Sequence, residues 1–203
     1  MNSYRPYQVV YLTGAPATGK STLTANLLDF LSPLKIFAYS KVLADFISQR
    51  IAFQVSEDNL REQSAQIITA DDIKVIDNRL LEFIKKERLK SHIIIDSHAV
   101  TKESYGFRVT PFSMQILSEI NPTLIIVLYT EGSVAIDRIK SNNQGRPLVS
   151  LFEADFHTNL QSSVALLYAT NLGIPIYFFD SNKPAQVLVQ EILAACGCNK
   201  AAH

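Results

Sequence analysis

The strongest constraint on this chain sits at its first apolar run. Residues 8–13 (QVVYLT) are rich in β-branched and aromatic side chains, and they lead directly into Gly14-Ala15-Pro16-Ala17-Thr18-Gly19-Lys20-Ser21. That octapeptide satisfies G-x-x-x-x-G-K-[ST], a turn between a strand and a helix whose backbone N–H groups wrap phosphate oxygens. Each fixed position has a physical reason. The glycines let the backbone close around an anion, and the following helix offers its positive end. Lys20 reaches the β- and γ-phosphates, and Ser21 supplies a hydroxyl to Mg²⁺. At ordinary residue usage the pattern arises by chance in roughly one chain of this length in a hundred, and the preceding strand and following helix pattern sharpen the reading. The expectation is a nucleoside-triphosphate site built from Gly14, Ala15, Pro16, Ala17, Thr18, Gly19, Lys20, Ser21 and Thr22.

The rest of the chain repeats that alternation. Short apolar runs at 35–39, 92–96 (HIIID), 123–130 (TLIIVLYT) and 174–180 (IPIYFFD) read as strands covered on both faces, as in a parallel sheet. Between them, residues 20–31 and 73–90 carry apolar side chains at helical spacing. Thr110-Pro111 reads as a helix start and Asn121-Pro122 as its end. Ser150-x-x-Glu153 reads as a capping box for a helix that Gly173 stops, and Pro184 as the start of the last helix. The predicted class is α/β, a three-layer sandwich with five strands and helices on both faces. Residues 40–90 contain no strand pattern, which is far more than one crossover needs, so an inserted helical lobe is expected there.

Composition removes other classes. The 203 residues include 19 basic and 19 acidic side chains, so formal net charge is zero and no broad field attracts nucleic acid or an anionic membrane. No run reaches the ~18 apolar residues of a membrane-spanning helix, and the first residues lack a signal-peptide pattern. Cys196 and Cys198 have neither disulfide-framework nor zinc-site spacing, and read as inert thiols. The implied setting is cytoplasmic, in one domain spanning 1–203.

Phosphoryl transfer needs positioning and charge neutralisation more than covalent chemistry. Asp96, ending the strand HIIID, is placed to meet Mg²⁺ directly or through water. Four arginines fall where strands end or loops open: Arg61 in the inserted lobe, Arg108 in the loop after Asp96, Arg138 on the helix after the fourth strand, and Arg146 in the polar segment 141–150 (SNNQGRPLVS), which has the size of a small lid. His98 reads either as a hydrogen-bonded loop residue or as a proton shuttle. Lys102 and Gly106 share its loop. Tyr105 and Phe107 are candidate walls of a base pocket, and Tyr39 reads first as core. Arg5, Arg50, Arg79 and Arg88 read as solvated or capping charges.

GAPATGKSTL, then IIIDSHAVTK with a downstream Gly, then a helix ending in NPTLIIVL, resembles the archaeal-type adenylate kinases, P-loop nucleoside monophosphate kinases. The likeness runs from about Val9 to Asp180. It implies a five-stranded parallel sheet in order 2-3-1-4-5, with a core over 8–39, 91–140 and 150–196. It further implies a monophosphate-binding lobe over about 40–72, a short lid over about 141–149, and the reaction of Mg-ATP with AMP to give two ADP. By position, Arg61 would hold the acceptor phosphate with Arg108 assisting. Ser40, His98 and Lys102 would line the acceptor site. Arg138 would touch the ATP phosphates or stack on adenine, and Arg146 would close onto the transferring group. Copies of the chain can associate in such a family, which this sequence neither supports nor excludes.

Two other readings share the scaffold. A small-molecule or nucleoside kinase would phosphorylate a hydroxyl, with Asp96 as its base. A regulatory ATPase would hydrolyse slowly and pass a conformational change to a partner.

Overall fold

The computed structural model describes residues 7–50, 67–142 and 148–198. Its centre is a five-stranded parallel sheet made of β1 (Val9–Gly14), β2 (Leu34–Ala38), β3 (His92–Asp96), β6 (Leu124–Tyr129) and β7 (Ile176–Asp180). They lie in the order β2-β3-β1-β6-β7, which is 2-3-1-4-5 when only the strands of this sheet are counted. Strand β1 is therefore central, with Leu12 beside Asp96 of β3 and Gly14 beside Leu128 of β6.

The near-continuous apolar runs are explained by two cores, one on each face, because successive strand residues point to opposite sides. Val9, Tyr11, Ile93, Ile95, Ile125 and Val127 join one core. Four helices cover it: α2 (Tyr39–Arg50), α3 (Ala70–Glu87), α4 (Met114–Ile120) and α6 (Leu151–Leu172). Val10, Leu12, Ile94, Ile126 and Leu128 enter the other, under α1 (Lys20–Phe30) and α7 (Ala185–Ala195). The remaining helix, α5 (Gly132–Ser141), packs beside α6 at the carboxyl ends of the strands. No described helix is long and apolar enough to cross a membrane.

Helix punctuation follows local chemistry. The capping box at Ser150 and Glu153 forms, and Gly173 ends α6 in a left-handed conformation (φ 64°). Asn121 ends α4 in the same way (φ 45°). A second capping box, Thr69 with Asp72, opens α3.

Two expectations need correction. Thr110-Pro111 does not start a helix. The Thr110 N–H donates back to Ala99 O at 2.7 Å and the Phe112 N–H donates to the Tyr168 hydroxyl at 2.7 Å, so both amides are committed outside a helical ladder. Helix α4 begins later, with the Ser113 hydroxyl capping Ile116 N–H. The loop expected after Asp96 is instead an antiparallel hairpin, β4 (Val100–Glu103) with β5 (Gly106–Val109). Its turn needs Gly106, whose φ of 151° L side chains rarely adopt.

Candidate active site

The phosphate loop joins β1 to α1. Gly14 (φ 155°) passes so close to β6 that a Cβ there would lie 2.5 Å from Leu128 O, which only glycine avoids. The loop is held from inside: Thr18 Oγ1 donates to Ala15 O at 2.8 Å and Lys20 Nζ donates to Gly14 O at 2.9 Å. Gly19 caps α1 with no side-chain hydrogen bond, and no acidic residue occupies the first turn. The amino end of α1 therefore keeps its N–H groups and positive dipole for an anion.

This loop forms one wall of a cavity of about 860 Å³, and all nine residues expected at the triphosphate line it. Asp96 lines the same cavity, half-buried at the carboxyl end of β3. Burial raises its pKa above the ordinary carboxylate value, and the nearby Lys20 ammonium opposes that rise. Ser21 and Asp96 thus face one space from adjoining elements. Among the described residues no cluster of three or more His, Cys, Asp or Glu could hold a metal alone. An ion here would take one hydroxyl and one carboxylate from the protein and its remaining ligands from phosphate and water, which is the habit of Mg²⁺.

A second cavity of about 340 Å³ adjoins the first, walled by Tyr11, Tyr39, Phe112 and Tyr168. Ser40, His98 and Thr101 line both cavities. Both volumes fall in the range of ligand sites, about 300–1,000 Å³. A donor in one and an acceptor in the other would meet at these three residues.

The expected site residues fall into three groups. Lys20, Ser21, Asp96, His98, Lys102 and Arg138 converge on the larger cavity. Ser40, His98 and Arg108 reach the smaller one. Arg61 and Arg146 lie outside the described residues, as do 143–147 of the lid segment and 51–66 of the inserted lobe. Tyr105 is exposed and Phe107 packs on Phe156 and His157, so neither walls a base pocket. Tyr39 belongs to the core, as read first, and also lines the smaller cavity.

Several of these cations are clasped by the protein. Arg138 Nη1 donates to Ala17 O (3.1 Å) and Ser181 Oγ (3.2 Å), while Nη2 donates to Ser181 O (3.1 Å), tying the phosphate loop to the end of β7. Arg108 Nε pairs with the buried Glu103 carboxylate at 3.1 Å. Lys102 reaches Glu153 (3.4 Å) and lies over the Phe107 ring. Away from the cavities, Arg88 donates to Ile120 O and Asn121 O, capping α4, whereas Arg50 forms an ion pair with the buried Asp72.

Two further polar residues beside the site belong to no sequence motif. Gln161 Nε2 donates to Thr13 Oγ1 at 2.9 Å, and its Oε1 accepts from Ala99 N–H (3.1 Å) and Val100 N–H (3.0 Å). His157, one turn earlier on α6, lies 3.0 Å from Val100 O through Nε2 and lines the larger cavity. Burial lowers its pKa to about 4, so it is neutral and Nε2–H is the donor to that carbonyl. The available signal was a pair of polar residues four apart on a helix face otherwise made of Ala154, Ala165, Tyr168 and Ala169.

Comparisons with known proteins agree with this geometry. The AAA domain family profile matches residues 13–153. The adenylate kinase of Methanothermobacter thermautotrophicus is 24% identical over 170 residues, covering 83% of this chain and 88% of that one. That of Pyrobaculum aerophilum is 26% identical over 165 residues, covering 81% and 79%. Among solved structures, the Deinococcus radiodurans tunicamycin resistance protein aligns with a TM-score of 0.63 at 12% identity (97% of this chain, 99% of that one). The deoxyadenosine kinase of M. mycoides aligns at 0.56 and 14% identity (94% and 99%). With its phosphate loop, parallel sheet and paired cavities, the chain belongs to the AAA domain family and is a P-loop phosphotransferase.

Proposed function

We propose that the protein is a nucleoside monophosphate kinase that transfers the γ-phosphoryl group of Mg-ATP to AMP. The observation that carries this is the pair of adjoining cavities, one walled by the phosphate loop and one by aromatic rings, that share Ser40, His98 and Thr101 among the described residues. Similarity to the adenylate kinases over more than four-fifths of the chain supports the choice of acceptor.

In this reading the α1 amino end and Lys20 hold the triphosphate, and Ser21 with Asp96 would hold Mg²⁺, which neutralises phosphate charge when bound. An acceptor phosphate is already an anionic nucleophile and needs no strong base. Its approach to ATP is opposed by charge repulsion, which cations around the junction suppress. Arg108 and Lys102 stand on the hairpin at that junction, and Arg138 at the donor side. Arg61 and Arg146 are assigned to the acceptor phosphate and the lid. As the γ-phosphorus bonds to the acceptor oxygen, its bond to the β-bridging oxygen breaks and ADP leaves.

A second reading, a kinase for a hydroxyl acceptor, draws on Asp96, because burial raises its pKa in the direction that suits proton acceptance. Asp96 lines only the donor cavity, however, which favours the metal-side role. The test is ADP release from Mg-ATP with nucleoside monophosphates, nucleosides and sugars as acceptors, with Lys20→Ala as the inactive control. AMP should stimulate release most. Stimulation by a nucleoside or sugar and by no monophosphate would reverse the order of the two readings.

A further inference from the structure

The smaller cavity carries one polar feature that phosphate handling does not use. Asp77, on the face of α3 turned to the sheet, is 8% exposed and lines this cavity alone. Its Oδ1 accepts a hydrogen bond from the Tyr39 hydroxyl at 2.8 Å. Burial pushes the Tyr39 pKa up, so the phenol keeps its proton and is the donor. No described residue donates to the other carboxylate oxygen. Tyr11, Tyr39, Phe112 and Tyr168 also line this cavity, and Tyr39 and Phe112 pack edge-to-face with centroids 5.5 Å apart.

A purely structural link between α2 and α3 would not need a carboxylate, since a hydroxyl or amide accepts from tyrosine equally well and costs less to bury. A buried carboxylate in the wall of a ligand-sized cavity, with one oxygen committed to Tyr39, is an acceptor awaiting a donor. Position adds to this. The transfer junction is at Ser40, His98 and Thr101, which both cavities share, whereas Asp77 lies outside that shared set. The acceptor's reacting end meets the junction, so the group near Asp77 belongs to another part of the molecule. Between aromatic walls that part is a flat ring.

We infer that Asp77, oriented by Tyr39, is a specificity-determining residue that accepts a hydrogen bond from an amino group on the ring of the acceptor. This rests on the nucleoside monophosphate kinase reading and names the base edge it selects. A site built to hydrogen-bond such a group leaves a buried acceptor unpaired when the group is missing, and so discriminates against the analogue that lacks it.

The probe pair is AMP and purine riboside 5′-monophosphate, which differ only by the 6-amino group. The wild-type protein should show kcat/KM for AMP about tenfold or more above that for the analogue, as expected when a buried acceptor loses its donor. The double variant Tyr39→Phe, Asp77→Leu removes both polar partners together, so neither is left buried and unsatisfied. It should bring the two substrates to within about threefold, chiefly by lowering the AMP value. Equal use of both monophosphates by the wild type overturns the inference and leaves the kinase reading intact. So does a double variant that keeps the wild-type ratio. If neither monophosphate is phosphorylated, the kinase reading fails first, and adenosine against purine riboside becomes the pair. Equal use of those nucleosides, or use of neither, overturns the inference as well.

Discussion

Gln161 joins Thr13, the residue before the phosphate loop, to the segment that carries His98. The side chain spans 148 positions of sequence to make a 2.9 Å hydrogen bond with the Thr13 hydroxyl. Its carbonyl oxygen simultaneously accepts from two successive amides, Ala99 and Val100. Donor loop and junction are thereby held in one frame by a side chain that is 1% exposed.

Replacing Gln161 by leucine keeps the volume roughly constant and leaves these buried partners unpaired. Each unsatisfied group costs roughly 1–3 kcal/mol, so a loss of about 3 kcal/mol in urea unfolding is expected for the set. Turnover should fall with it, because junction and phosphate loop lose their common anchor. Unchanged stability and turnover would show that the three bonds carry no energetic weight.

Two of the three loop positions with positive φ should respond in opposite ways. Gly14→Ala forces a Cβ against Leu128 O and Thr18 Oγ1, and is expected to cost about 2 kcal/mol or more and to abolish nucleotide binding. Ala17 already sits at φ 63° without being glycine. Left-handed backbone costs a non-glycine residue roughly 1–2 kcal/mol, against about 0.5–1 kcal/mol of extra unfolded-state entropy for glycine. Ala17→Gly should leave the Tm unchanged or raise it. Thermal melts of both variants check the pair.

Asp96 sets function against stability. Its pKa is raised in the folded protein, chiefly by burial. The folded state therefore holds that proton more tightly than the unfolded chain, and its contribution falls as pH rises through the unfolded carboxylate value near ~4. At pH 7 the ionised group is a net cost. Asp96→Asn is predicted to raise the Tm at pH 7 while severely lowering turnover, and the gain should vanish in acid. Melts at pH 7 and pH 4 beside an ADP-release assay test this, and a lower Tm for the variant at pH 7 would contradict it.

His157 works in the other direction. Neutral in the fold with a pKa of about 4, it must take up a proton on unfolding at any pH between that value and the ordinary histidine value of about 6.5. Stability from this group is complete above about pH 6.5 and is lost as pH falls towards 4, by about 3 kcal/mol at most. His157→Gln, which keeps a donor for Val100 O, should flatten that part of the stability–pH curve. A slope unchanged between pH 6.5 and 4 would assign it to other groups.

The sheet was legible because its inner strands β1, β3 and β6 are apolar on both faces, as a sandwiched parallel sheet demands, and the phosphate loop because its spacing is rigid; the edge strand β7 is apolar in sequence but leaves Tyr177 and Phe178 exposed. The hairpin at Val100–Val109 was not legible. Its strands alternate weakly, and Lys102, Arg108 and Glu103 look solvated in sequence although Glu103 is buried and paired with Arg108. Proline misled at Thr110-Pro111, where amide partners 56 and 11 residues away decide the conformation. The placement of Gln161, His157 and Asp77 beside the cavities or the phosphate loop was invisible for a common reason. Each gains its role from partners distant in sequence, and no short motif records them. Arginines after strand ends were found readily, yet their present partners, Ala17 and Ser181 for Arg138 and Glu103 for Arg108, depend on tertiary contacts alone.

A crystal structure with the bisubstrate analogue P1,P5-di(adenosine-5′) pentaphosphate is the most direct measurement of the two-cavity arrangement. One adenosine's phosphates should lie on Gly14–Thr22, the chain of phosphates should pass Ser40, His98 and Thr101, and the second adenine should enter the smaller cavity beside Asp77. Density for the second adenosine elsewhere on the surface, or a phosphate loop without phosphate, would contradict it.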